Sequence, residues 1–327
     1  MSTKIEWAKS VWNPVTGCSK GCPYCYARSF ANRMKHNPNP KISEKYKNGF
    51  QPTVHPELFF EPEKWRTPRL VFVASMGDLF DPAFGMDPFW NVMDKMTRFR
   101  QHNYILLTKQ PERMLNFVNA WLRETEFDTI PDNIWLGVSA SDQHEADLRI
   151  PLLMQVKAKI RFVSLEPLTG PVSLTKTTAI DRGWLLNLLA PRTTTFIENL
   201  DWVILGGMTG NKSTPMHPQW VKNILHECVS AKVPFFFKSW GSWHTACIHS
   251  NTGLPAFKMY HNFEQWKNKA WMKHGDKLVS LDGSLPVNGL GMKNATYPVA
   301  IMSPLRKGTV CREIDGVEWN QYPCKNL

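Results

Sequence analysis

The chain has 327 residues, 43% of them hydrophobic, with a formal charge of +11 and a pI near 9.3. That composition supports a sizeable core and excludes a disordered chain, and the lack of any run of about 18 apolar residues excludes a membrane-spanning helix. The basic balance favours polyanionic partners, because each neutralised phosphate releases counterions, although solubility alone also accounts for it.

Taken in chain order, the start MSTKIEWAKS is polar and has no apolar signal region. Together with an odd total of seven Cys, three of them crowded near residue 20, it leads to the expectation of a reducing cytoplasm. Runs rich in Val, Ile, Leu and Phe predict strands at 10–16, 69–76, 103–109, 133–139, 159–165, 200–207 and 233–240. They do not alternate cleanly, as expected of strands buried on both faces of a parallel sheet. Helix signals fall between them. Asp87 and Pro88 read as N-cap and first helical residue, Pro111 and Pro218 open two more helices, and Asp142 with Glu145 reads as a capping box. Pro151 is expected to kink or end that helix. The strand–helix order predicts an α/β barrel or partial barrel with its site at the C-terminal strand ends. Two insertions interrupt it: a Pro/Lys-rich loop excursion at 37–68, and a mixed segment at 171–199 with a small helix expected at 181–190. The barrel is expected to span 1–240. From 241 to 327 periodicity fades, but Trp243, Trp266, Trp271 and Trp319 predict an ordered, irregular, aromatic-rich C-terminal cap.

Cys18, Cys22 and Cys25 lie in GCSKGCPYCYA with C-x3-C-x2-C spacing, and Tyr24 precedes the last thiol. A closed zinc site takes four protein ligands, and a cubane iron–sulfur cluster is usually held by four cysteines. Three thiolates on one short loop would hold a four-iron cluster and leave one iron open to chemistry. Zinc is the rival, since His36 would complete a Cys3His site. Gly17 and Gly21 flank the thiols and tolerate tight turns.

The motif, with its aromatic before the third Cys, resembles the cluster loop of radical S-adenosylmethionine (radical SAM) enzymes. WNPVTGCSKGCPYCYAR, VASMGDLFDP, ILLTKQPERM, WLGVSASDQ, SLEPLTG, VILGG, PFFFKSWG and GVEWNQYP resemble a narrower, largely phage- and prophage-encoded branch with no generally assigned reaction. The resemblance spans nearly the whole chain. It implies a partial (β/α)6 TIM-type barrel with the cluster loop after the first strand, and a [4Fe–4S] cluster on Cys18, Cys22 and Cys25. It also implies S-adenosyl-L-methionine chelated to the open iron, Tyr24 near the adenine, and an external one-electron reductant such as flavodoxin. Met76, Gly77 and Asp78 then stand where relatives carry a Gly-rich acidic segment for the SAM amino group. SMGD matches that segment only in part, and Asp78 also reads as a turn or cap residue.

Other candidates lie at strand ends. Ser139, Ser141 and Asp142 suit ribose hydroxyls, and Asp142 also reads as a helix cap. Glu166 faces the expected barrel mouth. Gly206 and Gly207 end the sixth strand, followed by Met208 where relatives often carry Glu. Lys109 and Lys238 are placed to meet a substrate carboxylate or phosphate, or are surface lysines. Cys228 reads as core, and the spacing of Cys228, Cys247, Cys311 and Cys324 offers no clip for a second cluster. Cys311 or Cys324 is a candidate hydrogen donor, by analogy with a DNA-repair lyase of the superfamily. Two basic stretches interleaved with aromatics, 28–47 and 258–277, suit stacking of bases beside phosphate neutralisation, or a packed module with a solvated basic face. The resulting expectation is reductive SAM cleavage followed by hydrogen abstraction from a nucleic-acid base or nucleotide, either modification or isomerisation or lyase-type repair. The alternatives are a zinc-containing nucleic-acid-binding module and a SAM-dependent methyltransferase.

Overall fold

A computed structural model of the chain describes residues 5–175, 197–210, 212–245, 247–248, 255–256, 258–306 and 308–323. The helix expected at 181–190 and the thiol of Cys324 lie outside them. All seven expected strands are present: β1 Ser10–Trp12, β2 Leu70–Val73, β3 Asn103–Thr108, β4 Ile134–Ser139, β5 Arg161–Leu165, β6 Trp202–Gly206 and β7 Phe235–Ser239. They hydrogen-bond in chain order from β1 to β7. The β1–β2, β2–β3, β3–β4 and β6–β7 ladders are parallel. Helices alternate with the strands: α1 Tyr26–Met34, α2 Pro40–Lys45, α3 Asp87–Arg98, α4 Pro111–Glu124, α5 Gln143–Met154 and α6 Pro218–Ala231. The protein is therefore of mixed α/β class. No helix among the described residues is long and apolar enough to cross a membrane.

Two compact units divide the chain. The first comprises the described parts of Met1–Ser139 together with Leu148–Val163. Every residue of β2 and β4 is buried, which explains their unbroken apolar composition. Phe80, Phe89 and Phe117 pack with centroids 5.6–6.2 Å apart. A Cβ at Gly137 would stand 2.4 Å from the Phe162 ring, so the glycine makes room for that ring. Asp87 falls in the first turn of α3, while Met86 occupies the N-cap without a side-chain bond. The carboxylate still meets the positive end of the helix dipole from there. The excursion at 37–68 holds α2 and two 3-10 turns, Pro56–Leu58 and Pro62–Lys64. Its Thr53–Val54 pairs antiparallel with Val15–Thr16, immediately before the thiol loop.

The second unit comprises Ala140–Asp147 and the described parts of Ser164–Pro323. Asp142 caps α5 as expected, its Oδ1 accepting from Glu145 N at 2.8 Å, while the Glu145 carboxylate reaches back one residue beyond the cap to accept from Ser141 N at 2.9 Å. The helix runs through Pro151 to Met154, forgoing one ladder bond instead of ending there. His217 caps α6 by accepting from Gln219 N at 3.1 Å. Beyond β7, strands β8 Trp243–Thr245, β9 Lys258–Tyr260, β10 Lys277–Ser280 and β11 Val299–Pro304 form a four-stranded antiparallel sheet with β11 at its centre. The helix α7 Phe263–Lys269 precedes β10. Tyr260, Leu278, Met292, Val299 and Ile301 form its core, with Phe263 and Trp266 packed against them. Segment 311–321 runs along β7. Phe237 N donates to Trp319 O at 2.8 Å, Trp240 N to Cys311 O at 3.0 Å, and Gln321 N to Phe235 O at 3.1 Å. It covers the backbone groups that an edge strand would otherwise expose.

Candidate functional site

In the first unit the candidates gather around the loop that follows β1. Gly17 enters it at φ +84°, and a Cβ there would lie 2.2 Å from Gln51 O, so only glycine lets the excursion pass so close. Gly17 N donates to Met76 O at 2.9 Å and Asp78 N to Gly17 O at 3.3 Å, a parallel bridge between the loop and the end of β2. A Cβ at Gly77 would stand 2.7 Å from Gly17 O. Ala74 turns the chain out of β2 at φ +54°, a left-handed conformation costing about 1–2 kcal/mol for a non-glycine residue. It is held by a 2.7 Å bond from Ala74 N to Trp12 O.

Two carboxylates brace this arrangement. Asp78 is buried and accepts from Thr108 Oγ1 at 2.8 Å, Phe80 N at 3.0 Å and Lys109 N at 3.2 Å. Burial raises its pKa, and those hydrogen bonds oppose the rise. Its polar contacts are thus to the ends of β2 and β3, the structural role that a turn aspartate fulfils. Asp81 accepts from Ser19 N at 2.7 Å and Ser19 Oγ at 2.6 Å. Its pKa lies below the usual carboxylate range, because the donors from Ser19 and Ala83 outweigh burial. Asn13 Oδ1 accepts from Met76 N at 2.9 Å and Ser75 Oγ at 3.1 Å. Asn13 and Asp81 escaped the sequence reading. The only signal was their place in the WNPVTG and GDLFDP segments that flank the chosen residues.

Cys18, Cys22 and Cys25 are half-buried free thiols. Cys18 Sγ accepts from Lys20 N at 3.4 Å; Cys25 Sγ caps α1 by accepting from Arg28 N, also at 3.4 Å. Burial pushes the Cys18 thiol up to about 12, and the nearby Asp78 and Asp81 charges add to the rise. Lys109 Nζ donates to Ser139 Oγ at 2.7 Å and stands 5.5 Å from the Tyr24 ring centroid. It links the thiol loop to the end of β4. Tyr26 OH donates to Ser75 O at 2.6 Å.

The donor set fits a four-iron cluster in kind: three soft thiols on one loop, none in a disulfide. The raised Cys18 pKa opposes ionisation of the bare thiol, whereas a bound metal cation favours the thiolate. Among the described residues no three His, Cys, Asp or Glu side chains are gathered into a formed metal group, with or without His36.

The second unit holds the remaining candidates. Lys238 Nζ donates to Glu166 Oε1 in an ion pair about one-fifth exposed on each side. A Cβ at Gly206 would lie 3.3 Å from both Glu166 Cγ and Lys238 Cβ, so glycine clears space for the pair. At Gly207 a Cβ would meet Trp240 O at 2.4 Å. Met208 is half-buried and its carbonyl accepts from Ser242 N at 3.0 Å. Ser141 is buried, with its carbonyl accepting from Thr169 N at 2.8 Å, and Asp142 caps α5. Cys228 is core, as expected. Cys311 lies beside Trp240 at the end of β7, its thiol pKa raised by burial.

The two basic stretches divide differently. In 28–47, Arg28 and Arg33 stand 5.7 and 5.5 Å from the Phe50 and Phe30 rings. In 258–277, Tyr260 belongs to the apolar core, and Phe263 and Trp266 pack half-buried against it. Trp271 stays exposed, with Lys258 and Lys273 Nζ 4.8 and 5.7 Å from its ring.

Neither a curated protein nor a solved structure matches the chain. The match that identifies it is to a family described as a protein of unknown function (DUF5131), over residues 2–323, and the chain belongs to that family.

Proposed function

We propose that the protein is a radical SAM enzyme built on a partial (β/α)6 barrel and acting on a nucleic-acid base or nucleotide. The observation that carries this reading is the trio of free thiols on one loop at the carboxyl end of β1, braced against the end of β2 by Gly17, Gly77 and Asp81. When bound, a [4Fe–4S] cluster would supply the one electron for reductive cleavage of SAM to methionine and a 5′-deoxyadenosyl radical, which would take a substrate hydrogen.

The chain's own residues do the rest. Cys18, Cys22 and Cys25 would hold three irons as thiolates. Asp78 and Asp81 keep the loop in place, with Asp78 locking the ends of β2 and β3. Lys109 brings a cation beside Tyr24 and Ser139, suited to a ligand carboxylate with the hydroxyl nearby for a ribose. In the second unit, Glu166 and Lys238 form an acid–base pair able to hold a proton at Oε1 or Nζ. The charge of +11 and the exposed Trp271 between two lysines support a nucleic-acid substrate.

The test is anaerobic reconstitution with iron and sulfide, reduction, and SAM turnover. About four irons and four sulfides per chain with release of 5′-deoxyadenosine are expected. Stoichiometric zinc without sulfide, or S-adenosylhomocysteine as the product, overturns the reading.

A further inference from the structure

We propose that the cleft between α1 and the 48–52 loop is a phosphate-binding site that holds the backbone of the nucleic-acid substrate. This deepens the reading above and rests on its nucleic-acid half, not on the cluster.

The cleft measures about 510 Å³, within the usual size of a ligand site. One wall is α1 and its C-cap, where Arg28, Asn32 and Lys35 follow one another at helical spacings of four and three and so share a face. The other wall carries Asn48, Phe50 and Gln51, and Cys18 also lines the cleft. Gly49 closes the loop onto the helix. Its φ is +62°, and a Cβ there would stand 2.8 Å from Asn32 Oδ1. Cys18 N donates to Phe50 O at 3.3 Å, tying the loop to the cleft floor.

The lining chemistry is one-sided. Two cations and three carboxamides face the space, and no carboxylate lines it. Among the described residues neither Arg28 nor Lys35 forms an ion pair. The Arg28 guanidinium lies over Phe50, which orients its planar fork of donors as recognition of a phosphate requires. Carboxamide N–H groups supply further donors to phosphate oxygens. A site with this charge and no acid of its own selects an anion, and the size of the cleft suits one phosphate group with its attached sugar better than an extended protein face.

The experiment uses the full chain with a fluorescein-labelled oligothymidylate, read by anisotropy across a salt series, with inorganic pyrophosphate as competitor. The double variant Arg28→Gln/Lys35→Gln is compared with Arg100→Gln/Lys159→Gln, which removes the same charge beside Asp132. The cleft variant is expected to bind at least tenfold more weakly. The slope of log K against log salt should fall by about 1.4, as two lost contacts to a single strand require. Pyrophosphate should displace the oligonucleotide from the parent chain and not from the cleft variant. If pyrophosphate binding alone depends on the two cations, the site still reads phosphate and its source is a small ligand. Unchanged affinity and slope, or an equal loss in the control, overturns the proposal. So does a cleft variant that binds phosphate normally but is reduced more slowly by an acidic electron-transfer protein. Binding is read without SAM or reductant, so it does not depend on turnover. A failure of the radical chemistry therefore leaves this result standing, and a failure of phosphate binding leaves the cluster untouched.

Discussion

Beside the thiol loop, Asp78 and Asp81 accept hydrogen bonds from Thr108, Ser19 and backbone amides, while the three thiols stay out of any disulfide. At the ends of β5 and β7 the charges behave differently, with Glu166 and Lys238 joined to each other. One region uses its carboxylates as scaffold and leaves its soft donors available. The other ties its candidate groups together and needs Gly206 to fit them. Position at a strand end therefore does not decide what a charged residue does. The donors around it do.

The largest expected break in this comparison comes from the thiols. Cys22→Ala should lower 5′-deoxyadenosine formation at least a thousandfold in reconstituted enzyme, with the melting curve unchanged. Cys25→Ala should do the same and also cost about 1 kcal/mol in denaturant unfolding, because that sulfur caps α1. Next is the scaffold. Gly17→Ala combines a left-handed backbone with a Cβ 2.2 Å from Gln51 O, and should cost roughly 3 kcal/mol or more in urea unfolding. A loss below 1 kcal/mol would show that the brace is looser than described.

The joined pair gives a smaller effect. A double-mutant cycle of Glu166→Gln and Lys238→Met should return a coupling of about 1 kcal/mol, since both side chains remain partly open to water. Zero coupling would mean that the two groups act separately. The smallest effect is a pH slope. Burial raises the folded pKa of Asp78 above its unfolded value, so the associated stability is fully present below about pH 4. It is lost as pH rises through the folded value. Asp78→Asn should remove at most one proton's worth of that slope in unfolding measured from pH 3.5 upward.

The seven strands were legible because they are short, mostly apolar runs, the composition that burial on both faces favours. Pro111 and Pro218 located helix starts for an equally local reason. What lay beyond the sequence was long-range. The pairing of the excursion with Val15–Thr16 depends on two-residue ladders too short to carry a pattern. Pro151 lies inside a helix that packing sustains. His217 as an N-cap uses a ring nitrogen where Ser, Asp or Asn is the usual signal. At the site, the motif named the thiols and the strand ends named Lys109 and Ser139, but only the folded chain shows that Lys109 joins Tyr24 to Ser139. The basic aromatic stretch at 258–277 left stacking of bases and a packed module both open, whereas folding turns Tyr260, Phe263 and Trp266 toward the core and leaves Trp271 outside.

The strip at 311–321 that hydrogen-bonds along β7 also sets an order of events during synthesis. The ribosome makes Phe235–Ser239 well before that strip, so a nascent chain carries an open flank on its growing sheet until the later residues emerge. Until then the flank is a template for strands of neighbouring chains. Chaperone occupancy during translation should peak in this interval, and chains stalled before residue 311 should be the species that aggregate.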